Sequence, residues 1–306
     1  MSEQVPQVAP PKSRKGVWIV AAVVALAVVV GVFLAVRGGD DTAAGMTKVK
    51  LGVVGASDPY WKTFEEEAAK EDIDVEVIDF ADYAQPNPSV SEGEIDINQF
   101  QHIIYLADYN VKNDDDLYPI GSTAIYPLGL YSKKVDSVEA IKDGDTVVVP
   151  DDDTNQARAL LLLQSAGLIS LKDGGSPFST LNDVEDSSRV KVQALKADLT
   201  PTSLPDVAAA VINNDFVEKA GLTFADALVT DDAKDPSAQP YVNIFAVRAG
   251  DKDDATYRKL VEIFQNSQPV IDGLQKVSGD TAEVVKIPAP ELEKTLKTVE
   301  SQIQAQ

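Results

Sequence analysis

The chain has no cysteine and one histidine, His102, in 306 residues. Without a thiol there can be no disulfide, thiolate metal site, cysteine nucleophile or lipid carried on cysteine. A single imidazole cannot supply the paired histidines of a zinc hydrolase, and no metal site is expected. Positive charge is scarce, with 27 basic against 49 acidic residues and a formal net charge of −22. Binding to a phosphate backbone needs a basic footprint, so nucleic acid is not an expected partner. There is no Gly-Lys-Ser/Thr phosphate loop, and Gly52 and Gly55 do not form a dinucleotide fingerprint, so neither ATP hydrolysis nor a cofactor is expected. Nor is there a Gly-x-Ser-x-Gly nucleophile elbow. An enzyme would need a nucleophile or an acid–base pair in a cleft, which leaves it a remote reading.

Long hydrophobic runs are limited to one. Val17 to Val36 is twenty residues without a charge, enough to span about 30 Å as a helix. Lys12, Arg14 and Lys15 precede it, which predicts residues 1–16 in the cytoplasm and the rest outside. The expectation is a single-pass transmembrane anchor over 17–36 and a flexible Gly/Asp-rich linker over 37–47. The rival is a cleaved signal peptide with Thr42-Ala43-Ala44 as its small-residue site, although such apolar cores usually run about 7–15 residues.

The remainder is long enough for two lobes. Lys48–Val54 reads as a strand, Trp61–Glu71 as a helix and Val75–Phe80 as a second strand, the opening of an α/β domain. Asp82-Tyr-Ala-Gln-Pro-Asn-Pro88 is a turn-rich loop at a strand end, where ligands of open α/β sheets collect. Tyr83 there serves either a ligand or its own turn. In Gly93–Tyr105, Ile95 and Ile97 alternate with polar residues as a half-buried strand. If it stays extended to His102, Phe100 and His102 share a face and, with Tyr105, make an aromatic wall or an ordinary core cluster. Asn113-Asp-Asp-Asp116 lacks the ligand spacing of a calcium loop and reads as solvated. Tyr118–Ser132 suits a crossing between lobes.

Pro150-Asp-Asp-Asp-Thr-Asn-Gln-Ala-Arg158 ends the strand Thr146–Val149 and starts an apolar helix, with Asp153 or Thr154 as the natural N-cap. Asn155 and Arg158, three apart, share a face of its first turns. A helix N-terminus attracts anions, and a guanidinium can hold a carboxylate through two bonds. The alternative is a capped helix with a surface arginine. Val190–Ala194 is another strand, Ala208–Ile212 a buried one ending at Asn213, and Pro240–Arg248 one returning to the first lobe. Helices are expected near Ala255–Gln265, Pro269–Val277 and Pro290–Ile303, packed on that lobe.

The motif Gly93-Glu-Ile-Asp-x-Asn-x-Phe-Gln-His-x-x-Tyr-Leu106 resembles the signature of the NlpA family, methionine-binding lipoproteins that feed ABC transporters. Asp-Tyr-x-Gln-Pro-Asn at 82–87 and Asn155-x-x-Arg158 are also similar to family motifs, and the likeness runs over about 48–248. It implies a bilobal type II periplasmic-binding-protein fold with lobe 1 over 48–128 and 240–306, lobe 2 over 129–239, and a cleft between them. It further implies an extracytoplasmic, non-enzymatic protein, expected as a monomer, that gives methionine to a permease. Tyr83 would lie against the ligand and Arg158 on its carboxylate. Asn155, Asn213 and Asn243 would accept from its ammonium, and Phe100, His102 and Tyr105 would complete an aromatic wall for the thioether. Asn213, read by itself, equally suits a helix cap. The chain departs from the family in lacking the lipobox cysteine, in Asp151 for asparagine and in Thr202 for arginine. A methionine-containing dipeptide, another apolar amino acid, or a sensor that has lost its ligand remain alternatives.

Overall fold

The structure, a computed structural model, describes residues 45–306. The candidate span over 17–36, the tail before it and most of the linker lie outside those residues. Among the described residues no helix is long and apolar enough to cross a membrane. Residues 46–306 form one compact unit.

The unit is an α/β fold on two mixed five-stranded sheets. The first begins with β1 (Thr47–Val53), α1 (Pro59–Ala69), β2 (Ile73–Asp79), α2 (Pro86–Ser91), β3 (Ile97–His102), α3 (Ile103–Asn113) and β4 (Tyr118–Ser122). The chain then crosses through the two-residue β5 (Ala124–Ile125) to the second sheet. There it forms β6 (Gly129–Tyr131), β7 (Thr146–Pro150), α4 (Asp153–Ser165), β8 (Lys191–Leu195), α5 (Thr200–Ser203), β9 (Ala209–Ile212) and β10 (Val229–Thr230). It returns as β11 (Asn243–Val247) and closes with α6 (Ala255–Asn266), α7 (Gln268–Val277), β12 (Glu283–Val284) and α8 (Ala289–Gln304).

The strand orders are β2-β1-β3-β11-β4 and β10-β6-β9-β7-β8. Each sheet holds three adjacent parallel strands, with the earliest of the three at their centre, and one antiparallel strand beside them, β11 in the first sheet and β6 in the second. In such an order the crossovers leave the central strand in opposite directions, so a crevice opens beyond its carboxyl end. That places the ends of β1 and β3 on one side and of β7 and β9 on the other. β11 runs against β3 with Asn243 opposite His102, so its first residue reaches the same edge.

Local sequence accounts for the elements that carry these ends. Pro59 starts α1 at a position whose N–H has no partner in any helix, and Tyr60, Trp61, Phe64 and Ala68 bury one face of it. The fully buried Trp61 and Phe64 pack with Phe264 and Phe245 beneath the first sheet; Trp61→Ala there should cost about 3–5 kcal/mol. Pro59 is also why α1 begins two residues earlier than the apolar pattern alone suggests. Under the second sheet, Ala159, Leu160, Leu162 and Leu163 of α4 join Val147, Val149 and Val211. A further core is shared, with Tyr83 and Phe100 from the side of the first sheet meeting Val148, Ile212 and Phe216 from the second.

Two expectations change. The half-buried strand starting near Ile95 is instead β3, buried at all six positions. Its polar side chains are satisfied laterally: Asn87 Nδ2 donates to Gln101, while Asn98 and Gln101 both donate to Asn87 Oδ1. The cap of α4 is Asp152 rather than Asp153 or Thr154, because its carboxylate accepts from the Asn155 backbone at 2.9 Å.

Candidate amino-acid site

Tyr83, Phe100, His102, Tyr105, Asn155, Arg158, Asn213 and Asn243 all line one cavity. Gln101, Tyr126 and Asn214 line it too. Both sheets contribute: β3, α3 and β11 from the first, α4 and the loop after β9 from the second.

Arg158 is buried and held on three sides. Its Nε donates to Asp231 Oδ2 at 2.7 Å, and Nη2 donates to Asp231 Oδ1 at 3.2 Å and to the Tyr126 carbonyl at 2.8 Å. The Tyr241 ring lies 4.4 Å from the guanidinium carbon, a cation–π distance. Nη1 alone donates to no described residue. The surface-arginine alternative is thus excluded, and a carboxylate entering the cavity meets one free edge of a guanidinium fixed from behind.

A relay of side chains orients the facing amides. His102 Nδ1 accepts from the Tyr105 backbone N–H, so the ring proton is on Nε2 and points to Asn155 Oδ1, 3.2 Å away. Burial, reinforced by the Arg158 charge, lowers the His102 pKa to about 3, and the ring is neutral. Asn155 Nδ2 donates to Asp152, which fixes the amide with Oδ1 toward His102 and Asn213. Asn213 Nδ2 donates to that oxygen at 2.9 Å. Both lone pairs of Asn155 Oδ1 are then occupied. Asn155 is not free to accept from an ammonium, a correction to the role assigned to it from sequence; it positions Asn213 instead. Asn213 Oδ1 is left buried with no hydrogen-bond partner among the described residues. Its side chain does not cap the short turn that follows, which removes the helix-cap alternative.

Burial raises Asp152 to about 6 against the hydrogen bonds it accepts. Tyr83 is no loop packer: its hydroxyl donates to Asp215 Oδ2 at 2.7 Å across to the second sheet. Tyr83, Phe100 and Tyr105 pack with ring centroids 5.7–6.3 Å apart, while His102 stands edge-on between Tyr105 and Tyr241.

Sequence reasoning missed Asp231, Tyr126 and Tyr241, the residues that hold Arg158. Gln101 lay inside the singled-out motif, next to His102, but carried no signal of its own. For Asp231, 73 residues from Arg158, no local pattern exists.

The chain matches the profile of the NlpA lipoprotein family over residues 49–285. It is 41% identical over 236 residues to the D-methionine-binding lipoprotein MetQ of Salmonella typhi, covering 75% of this chain and 85% of the relative. A nutrient binding protein from Burkholderia cenocepacia, solved bound to methionine, superposes with a TM-score of 0.72 at 36% identity over 77% of this chain and 99% of that one. The substrate binding protein of a methionine transporter from Streptococcus pneumoniae gives a TM-score of 0.73 at 32% identity, over 78% of this chain and 96% of that one.

Proposed function

The chain belongs to the NlpA lipoprotein family, and we propose that it is the extracytoplasmic substrate-binding component of an ABC importer, taking methionine between its two lobes. The observation that carries this is a pair of unsatisfied groups in one cavity. Arg158 offers a free Nη1 and Asn213 offers a buried orphan acceptor. A zwitterionic amino acid satisfies both, its carboxylate at the guanidinium and its ammonium at the amide oxygen. The rings of Tyr83, Phe100 and Tyr105 line the same cavity and suit a thioether, whose sulfur gains from aromatic contact.

In this reading lobe 1 takes residues 48–128 and 240–306 and lobe 2 takes 129–239. Closure joins them through His102–Asn155 and Tyr83–Asp215, and the closed shape is what the permease recognises. No residue in the cavity needs to act as nucleophile or base, and the protein is not an enzyme. The membrane anchor expected over residues 17–36 belongs to this reading; a mature N-terminus near Gly45 would sink that part.

The test is calorimetric titration of the full-length protein, unfolded and refolded to strip carried-over ligand, with L-methionine, D-methionine, glycyl-methionine, leucine and glutamine. Tight, methionine-selective binding is expected. Silence across the panel would overturn the assignment.

A further inference from the structure

Beyond Tyr126 lies a second chamber that the amino-acid site does not use. It is built at the same strand ends, between the loop after β1 and the segment after β9, with Leu274 and Val277 of α7 as an apolar wall. Tyr126 and Asn214 line both cavities, so the two adjoin.

Its polar lining is one-sided. Asp58, Asp215 and Glu218 face it against a single lysine, Lys219. Lys219 Nζ sits 4.5 Å over the Phe216 ring and pairs with none of the three. Asp58 occupies the N-cap position of α1 without capping it. Among the described residues neither the Asp58 nor the Glu218 side chain has a hydrogen-bond or ion-pair partner. Burial and the neighbouring charge of Glu218 push Asp58 up to about 6. A second observation does not depend on charge. Tyr60 is 7% exposed and faces the chamber, and its hydroxyl has no partner among the described residues. Asp215 already accepts from Tyr83 and Asn214, so the carboxylates of Asp58 and Glu218 and the Tyr60 hydroxyl converge on the chamber without a protein partner, an arrangement that a ligand carrying N–H groups would complete.

Among the described residues no three histidine, aspartate or glutamate side chains stand close enough to share a metal ion. Acceptors spread this widely suit a cation that donates N–H bonds in several directions, and the apolar and aromatic walls suit an alkyl chain.

We propose that this chamber is a second binding site, for the ammonium group of a primary alkylamine, adjoining the amino-acid cavity across Tyr126. The amine is either a separate small molecule or the amino end of a ligand longer than one amino acid.

The probe is n-butylamine hydrochloride, titrated calorimetrically into the full-length protein with and without L-methionine. Saturable binding is expected, weakened at least about tenfold in Asp58→Asn/Glu218→Gln, with tetramethylammonium, which has no N–H, at least about tenfold weaker than butylamine. An unchanged unfolding midpoint certifies the double variant; if it fails to fold, Glu218→Gln alone, at an exposed position, carries the comparison. No saturable binding in either condition, or equal affinity in the variant, overturns the proposal. Loss of glycyl-methionine but not methionine affinity in the variant identifies the amine as a ligand tail; retention of both, with butylamine lost, identifies a separate amine. Butylamine binding without methionine binding would remove the amino-acid reading and leave this one standing.

Discussion

The two cavities that meet at Tyr126 are built from the same strand ends, yet their polar atoms are held in opposite ways. On the amino-acid side, Asp152, Asn155, His102 and Asn213 hand hydrogen bonds along a chain that ends at one open acceptor. Asp231 and Tyr126 likewise use all but one edge of Arg158. On the other side two carboxylates and a tyrosine hydroxyl face the chamber without partners among the described residues. The first arrangement is preorganised: most of the ordering is complete before a ligand arrives, so little binding energy is lost to reorganisation. The second is open to any donor that fits.

Removing the cation on the organised side should have the largest effect. Arg158→Ala leaves the ligand carboxylate and Asp231 facing each other unpaired, and methionine affinity should fall by about 2–5 kcal/mol. Calorimetry checks this, and affinity within a few-fold of wild type would show that the carboxylate binds elsewhere. Next comes the open acceptor. Asn213→Ala removes the amide that meets the ammonium and frees Asn155 Oδ1, so a loss of about 1–3 kcal/mol is expected. Asn213→Asp should recover part of it if an ammonium binds there; a further loss would mean that the cavity receives an anion at this point.

These residues show how unevenly the sequence discloses the site. The motifs at 93–106 and 150–158 placed Phe100, His102, Tyr105, Asn155 and Arg158 because each motif is a strand end and its following turn, a local unit. The C-terminal helices α6 to α8 were legible for the same reason, as their apolar faces recur at helical spacing. The partners that give those residues their roles were not legible. Tyr83 finds Asp215 at a separation of 132 residues, and Tyr126 lay within an apolar stretch that read only as a crossing. Asn155 shows the cost: its residue type suggested an ammonium acceptor, and only its neighbours reveal that its oxygen is already taken.

The boundary between the cavities should respond to pH. Burial and then the like charge of Asp58 raise Asp215 to about 7, against the lowering pull of the Tyr83 hydroxyl. A carboxyl raised in the closed form binds its proton more tightly there than in the open form. Its contribution to closure is complete below the ordinary value of 3.8 and is lost as pH rises through about 7. Methionine affinity should therefore fall between about pH 6 and about pH 8, by at most about tenfold. Asp58, raised to about 6, acts in the same direction, whereas His102, lowered to about 3, does not titrate in this range. Asp215→Asn should flatten the profile near neutrality; an unchanged slope would place the titrating group elsewhere.

The smallest effect is expected at the rim, where Lys196 Nζ reaches Asp82 Oδ2 at 2.6 Å between elements of the two sheets. By distance alone this resembles the buried Tyr83–Asp215 contact. Its environment is different, because the lysine side chain is 56% exposed and the aspartate 25%. Water already solvates both charges, salt screens them, and ordering a lysine chain costs entropy, so such a pair contributes about 0–1 kcal/mol. Lys196→Ala should shift methionine affinity by no more than a few-fold, and the shift should vanish in high salt. Tyr83→Phe, which deletes one hydroxyl from a desolvated contact to a carboxylate, should cost more and keep its effect in salt. If the two variants prove equivalent, or their order reverses, burial is not what distinguishes the latch inside the cleft from the one at its edge.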